Sequence, residues 1–197
     1  MAVCQFAGMS DAREQTLIDL VRSDLAMMAA LAAVRELSLP DGWIAAGFVR
    51  NRVWDHLHGY AKSTPLNDID VVYFDSACLD EAVEKRFEAA LHQRLAGLPW
   101  SVKNQARMAA INGDQPYRDT ADALEHWCET PTPIGLRLIE EGGLQMLAPL
   151  GLEDLFALTV RPTPFAREHP PKLAQYKERM ARKNWPGLWP GIRVLEL

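Results

Sequence analysis

The run Ile69-Asp70-Val71-Val72-Tyr73-Phe74 restricts the folds open to this chain more than any other stretch. It is rich in β-branched and aromatic residues and apolar on both faces except at its head, where Asp68 and Asp70 stand two residues apart. Strand side chains alternate between faces, so this is a central strand covered on both sides, with both carboxylates projecting from one face near its start.

The flanking sequence supplies the cover. Trp43-Ile44-Ala45-Ala46-Gly47-Phe48 is too short an apolar run for a helix and reads as a buried strand. After Gly47 the period changes to 3.6: Val49, Val53 and Leu57 share a face, and Gly59 ends the helix. Asp80 is positioned to cap a helix carrying Val83, Phe87, Leu91 and Leu95, closed at Gly97, and residues 100–105 form a third strand. Strands alternating with helices predict an α/β (α+β) fold with a central mixed or parallel sheet flanked by helices.

Ahead of this unit, Leu17, Leu20, Val21, Leu25, Met28 and Leu31 predict one long amphipathic helix, capped by Ser10 or Asp11 and ending near Pro40. Behind it come a loop with a short helix over 120–127, a hairpin over 134–148 turning at Glu141-Gly142-Gly143, and a short helix from Gly151. Pro162, Pro164, Pro170 and Pro171 mark a linker, followed by a last helix over 172–182. The expected organisation is one domain over 11–160 with a hairpin, and a helical C-terminal extension over 161–197 packed on it.

Charge follows the same division. Residues 1–160 carry 13 Lys and Arg against 23 Asp and Glu, whereas residues 161–197 carry 8 against 3, inside a net charge of −5. The basic extension, with Tyr176, Trp185 and Trp189 among its cations, has two readings. It folds back on the acidic body with its tryptophans buried, or it meets an anionic acceptor through phosphate pairing and base stacking. The three cysteines form no C-x-x-C pair, and the sequence carries neither a basic, apolar leader nor a membrane-length apolar run. A reducing cytoplasm and no membrane partner are expected. P-loop, Rossmann and nucleophile-elbow motifs are absent from the sequence.

The chemistry concentrates in Gly47 to Arg52 and Asn67 to Asp70. Two carboxylates side by side repel each other, and a hard cation such as Mg²⁺ (or Mn²⁺) relieves that repulsion. Gly47 stands where a strand turns into a helix, whose first N–H groups attract phosphate, and Arg50 and Arg52 add guanidinium groups at the same end. Among the other polar residues, Arg107 is suited equally to a phosphate or to an ion pair. His56 and His58 read as surface or helix-end histidines, Trp54 as core, and Asp55 as a surface or supporting residue.

Ala46 to Asp55, Asn67 to Asp75, Lys103 to Met108, Ala148 to Phe156 and Val160 to Thr163 together resemble a small bacterial nucleotidyltransferase-like family. That family lies within the polymerase-β-type nucleotidyltransferase superfamily. The resemblance implies that fold, with a nucleoside triphosphate and Mg²⁺ at a sheet edge. Asp68 and Asp70 match the first two metal carboxylates, which are also the catalytic pair, and Gly47 matches the nucleotide-binding glycine. Phe48, Arg50, Asn51, Arg52, Asn104 and Arg107 are expected around the nucleotide.

Two departures stand out. Phe48 occupies a position usually held by a second small residue, and the strand expected to carry a third carboxylate offers Val102, Lys103 and Asn104. Either Asp75 or Glu140 supplies the acid, or the protein transfers slowly or not at all. The implied activity is transfer of a nucleoside monophosphate to a hydroxyl of an unknown small-molecule, RNA or protein acceptor. The alternative is a non-catalytic member that binds a nucleotide or partner.

Overall fold

Asp24 divides what the apolar periodicity presents as one N-terminal helix. Its backbone is extended and its carboxylate accepts from the amides of Ala26 and Met27, so α1 (Cys4–Arg22) stops and α2 (Leu25–Arg35) begins anew. The computed structural model describes the backbone of residues 4–195 and the side chains of residues 12–195. Helix α1 already runs through Ser10 and Asp11, and the side chains of both lie outside the described residues.

From there the order is β1 (Trp43–Ala45), α3 (Gly47–Leu57), β2 (Ile69–Tyr73), α4 (Glu81–Arg94), β3 (Trp100–Asn104) and α5 (Gln105–Asn112). Then follow α6 (Thr120–Glu125), the hairpin β4 (Gly135–Leu138) and β5 (Leu144–Leu147), α7 (Glu153–Phe156) and β6 (Thr159–Val160). The chain continues through α8 (Pro164–Glu168), α9 (Pro170–Lys183), α10 (Trp185–Leu188) and β7 (Arg193–Val194). Phe48, expected in a strand, is the second residue of α3. Residue Asn104 ends β3 and caps α5, a helix that the sequence pattern did not announce. The four prolines expected in a linker mostly do something else: Pro164, Pro170 and Pro171 sit in the first turns of α8 and α9, where a missing N–H costs nothing.

The main sheet runs β3-β2-β1-β4-β5, with β2 and β3 parallel and the other pairs antiparallel, so the mixed sheet flanked by helices is the observed architecture. One face carries Ile44, Ile69, Val71, Val102 and Leu136, all buried in the large core together with Leu17, Leu31, Val49 and Trp54 from the helices. The opposite face carries Trp43, Ala45 and Val72, with Trp127 and Leu147 packed on them. Outer strand β3 is shielded by α4: Glu88 accepts from the amide of Val102 and Glu84 from that of Asn104, so two otherwise open edge N–H groups are satisfied.

The segment beyond Pro162 closes against the body at many points. Strand β7 pairs in parallel with β6. Trp185 and Trp189 are buried and meet Trp54 edge to face at centroid distances of 5.3 and 5.1 Å. Trp189 donates to Asp55, the amide of Gly191 donates to Nε2 of His58, and Tyr60 donates to the carbonyl of Leu188. Asp55 is therefore a buried hub, which also accepts from the amide and hydroxyl of Thr64, and His58 fastens the chain's return.

Candidate functional site

The ladder fixes where the two sequence signals meet. Ala45 at the end of β1 is paired with Asp70 at the head of β2, and Gly47 opens α3 two residues after Ala45. The helix N-terminus and the Asp68/Asp70 pair consequently share one end of the sheet. Within α3 the amides of Val49 and Arg50 return to the carbonyl of Ala46, and no side chain caps the helix. Among the described residues the amides of Gly47 and Phe48 have no acceptor, an arrangement suited to an anion. Ala46 makes the junction with φ of 57° and ψ of −126°, a sparsely populated positive-φ conformation that costs a non-glycine residue on the order of 1–3 kcal/mol.

Asp70 shares its face of the sheet with Val72, and by the parallel register with Ser101 and Lys103 on β3. On this face lies a cleft of about 300 Å³. Asp70, Val72, Lys103 and Gln105 form its floor, and Trp127, Glu129 and Arg179 are among its walls. Burial, and then the neighbouring Asp68, push the Asp70 carboxyl up to about 6. Among the described residues neither carboxylate takes a hydrogen bond or an ion pair closer than 4 Å; Arg50, Arg179 and Lys183 act on Asp70 from further off. Such a pair of unpartnered acids fits a hard cation by its oxygen donors and its uncompensated charge. No group of three His, Cys, Asp or Glu side chains arranged to hold a metal ion occurs among the described residues.

Arg50 belongs to this end of the molecule. It is buried, donates to Thr132 at 3.0 Å and Asn51 at 3.1 Å, and lies over the ring of Trp185 at 4.4 Å. Burial lowers its pKa to about 10, with Glu129, Asp70 and Asp68 acting in opposition. Its Nε has no hydrogen-bond partner among the described residues.

Other expected residues are placed elsewhere. Arg52 pairs with Asp24 at 3.4 Å. With that Asp24, Phe48, Asn51 and Arg52 line a second, mainly apolar cavity of about 160 Å³. Asn104 and Arg107 lie behind the sheet. Asn104 sits opposite Tyr73 in register, out of phase with Asp70, and its side-chain amide is used up: Oδ1 accepts from Asp75 and Ala106, and Nδ2 donates to the carbonyls of Asp75 and Cys78. Arg107 grips Glu84, which is fully buried, through two bonds of 2.8 and 2.7 Å. Asp75 is five residues beyond Asp70, about 16 Å along a strand, and Glu140 is exposed at the hairpin turn, at the far end of β4 from its Gly135–Ala45 pairing. Neither brings a third acid to Asp70.

A family model for nucleotidyltransferases matches residues 32–194. The chain belongs to the nucleotidyltransferase family. Among solved structures, this nucleotidyltransferase matches a protein whose NMR structure reveals a CCA-adding enzyme head domain, with 33% identity and a TM-score of 0.83 over 93% of this chain and 96% of that one. A CCA-adding enzyme in complex with CTP matches at 16% identity and TM-score 0.56, over 93% of this chain and 43% of that one. A tRNA-processing enzyme matches at 17% and 0.50, over 86% and 42%. These last two show the shared fold, and the nucleotidyltransferase spans about two-fifths of their length. No curated protein matches.

Residues that the sequence pattern did not single out complete the cleft of the nucleotidyltransferase. Glu129, nearly inaccessible, is hydrogen-bonded by Arg179 from α9. Lys103 lines the floor and reaches Glu84 at 3.6 Å around the sheet edge. Parity along β3 could have found Lys103, since it is in phase with Ser101. Glu129 and Arg179 carried no local signal, because their meeting spans 50 residues.

Proposed function

We propose that this nucleotidyltransferase uses a divalent cation, Mg²⁺ or Mn²⁺, to move a nucleoside monophosphate from a nucleoside triphosphate to a hydroxyl acceptor. The observation that carries this reading is the Ala45–Asp70 pairing, which sets the open amides at the start of α3 beside two carboxylates without partners. Asp68 and Asp70 would hold the cation. When bound, such a cation neutralises triphosphate charge and lowers the pKa of an attacking hydroxyl.

The chain's own residues do the remainder. The amides of Gly47 and Phe48 receive phosphate oxygens, and Arg50, fixed by Thr132 and Trp185, adds fixed positive charge behind them. In the reaction the acceptor hydroxyl releases its proton to solvent, its oxygen forms a bond to the α-phosphorus, the bond from that phosphorus to the bridging oxygen of the β-phosphate breaks, and pyrophosphate leaves. The cleft beside Asp70 has room for a nucleoside and is walled by Trp127. An RNA terminus is the acceptor class supported by likeness to a CCA-adding enzyme head domain. The setting is a reducing bacterial cytoplasm, in keeping with Cys78 and Cys128 as free thiols.

One observation favours a second reading, nucleotide binding without transfer: Lys103 stands on the strand expected to offer a third acid, and no third acid reaches Asp70 among the described residues. Incubating the protein with each labelled triphosphate, Mg²⁺ and a pool of RNA separates the two. Label transferred to RNA by the wild type and not by Asp70→Asn supports catalysis. Mg²⁺-dependent binding with no transfer supports the second reading. If Asp68→Asn binds triphosphate and Mg²⁺ as the wild type does, the carboxylate assignment is wrong.

A further inference from the structure

We propose that the C-terminal end of α9 forms a polyphosphate site, in which Lys183, backed by Arg179 and Arg50, holds the β- and γ-phosphates and then the departing pyrophosphate. The proposal rests on the nucleotidyl-transfer reading for its role, and on cation geometry for its existence. Arg179 and Lys183 are four residues apart on α9 and share a face of the helix. Arg179 lines the cleft that has Asp70 on its floor, and Glu129 holds it there. Two residues beyond Lys183, Trp185 is buried with its ring beneath the Arg50 guanidinium. The anchored tryptophan thus brings the last turn of α9 to the same end of the sheet as α3.

The three cations differ in what occupies them. Arg179 is committed to Glu129, and Arg50 to Thr132, Asn51 and two indole rings. Lys183 is half-buried and makes no ion pair within 4 Å among the described residues, although Arg179, Arg50, Asp68 and Glu129 all act on it. A cation in the last helical turn is ordinary, since it meets the negative end of the helix dipole. Arg182, exposed in the same turn, serves that purpose. Lys183 is set apart by its partial burial, by its place one turn beyond Arg179 on the same helix face, and by the charges of Asp68, Arg179 and Arg50 acting on it.

Its counter-charge is also conditional. Once a divalent ion occupies Asp68 and Asp70, those acids no longer balance Lys183, and a multiply charged anion restores neutrality. Phosphate bound at the start of α3 would extend toward Lys183, because Ala46 lines the cleft beside Asp70 and Lys183, one helical turn beyond the cleft-lining Arg179, acts electrostatically on both Asp68 and Asp70. Burial and the neighbouring Arg179 and Arg50 lower the lysine's pKa, in line with a site built to receive negative charge.

The test uses inorganic pyrophosphate in EDTA on the Asp68→Asn/Asp70→Asn protein, which keeps the cations and removes the metal site. Calorimetry should detect saturable binding. Adding Lys183→Met should weaken it about tenfold or more, the loss of one charge-assisted contact, while Lys183→Arg stays within about threefold. Lys177→Met, the same charge change about 200° around α9 from Arg179, should leave affinity unaltered. Equal weakening by Lys177→Met and Lys183→Met, or no saturable binding at all, would overturn the proposal. Transfer activity is read separately on the wild type with Mg²⁺, so a protein that binds pyrophosphate through Lys183 but transfers nothing keeps this site and refutes the catalytic reading. A protein that transfers normally with Lys183→Met, and is inhibited by pyrophosphate to the same degree, does the reverse.

Discussion

The two faces of the central sheet treat charge in opposite ways. Behind the sheet, Glu84 is fully buried and every oxygen is engaged: by Arg107 twice, by Lys103, and by the amide of Asn104. On the cleft side, Asp70 is also largely enclosed, yet no donor among the described residues reaches it. Buried polar groups are normally satisfied within the fold, so the first arrangement explains itself as structure and the second asks for something from outside. The contrast separates scaffold from site more sharply than residue type does, because both faces display carboxylates and arginines.

That contrast can be broken most severely from behind. Glu84→Ala strips the Asn104 amide of its acceptor and leaves the Arg107 guanidinium only its longer, 3.8 Å contact with Glu81; it should cost about 3 kcal/mol, lowering the melting temperature by roughly 10 °C. Retention of wild-type melting would show that the rear network carries no stability.

Asn104→Asp is the sharper instrument. If residue 104 belonged to the metal site, the new carboxylate would complete it and raise activity. The structure instead has Nδ2 donating to two carbonyls, and replacing that donor with an oxygen should destabilise the protein by about 2 kcal/mol without any gain in transfer. Chemical denaturation and a transfer assay on the same sample decide it.

Asp70→Asn should act in the other direction. Because the folded carboxyl is raised to about 6 while an unfolded one titrates near 4, the folded state binds the extra proton between these values. The metal-free wild type therefore loses stability as pH rises from about 4 to about 6, by on the order of 2 kcal/mol, and the Asn variant does not. Denaturation across that window without metal checks the sign, and Mg²⁺ should stabilise the wild type alone at pH 7.5. Smallest of all, Arg52→Ala removes only the pair with Asp24 and should shift stability by less than about 1 kcal/mol, with triphosphate affinity unchanged.

Local pattern revealed much of this. Alternation and capping made β1, β2, β3 and α4 readable, and the two-residue spacing of Asp68 and Asp70 marked the acidic strand head. The face of Asn104 could not be read locally, because it depends on parity relative to the neighbouring strand, and the register that sets parity pairs Tyr73 with Asn104, 31 residues apart; Arg107 sits on α5, a helix without a local signal, and meets Glu84 23 residues away. Asp24 was hidden inside an uninterrupted apolar period. The roles of Asp55 and His58 depended on Trp189 and Gly191, more than 130 residues away, where no short-range rule reaches.

The Trp54–Trp185–Trp189 contact also imposes an order in time. The helix that begins at Gly47 and the acids at 68 and 70 leave the ribosome long before residues 179–194, so the nascent chain exposes an acidic strand head and a vacant indole face before Arg179 and Lys183 exist. The cleft is thus assembled by the late arrival of its own wall, and a ribosome stalled near residue 165 would display the carboxylates and the glycine turn without a closed binding site.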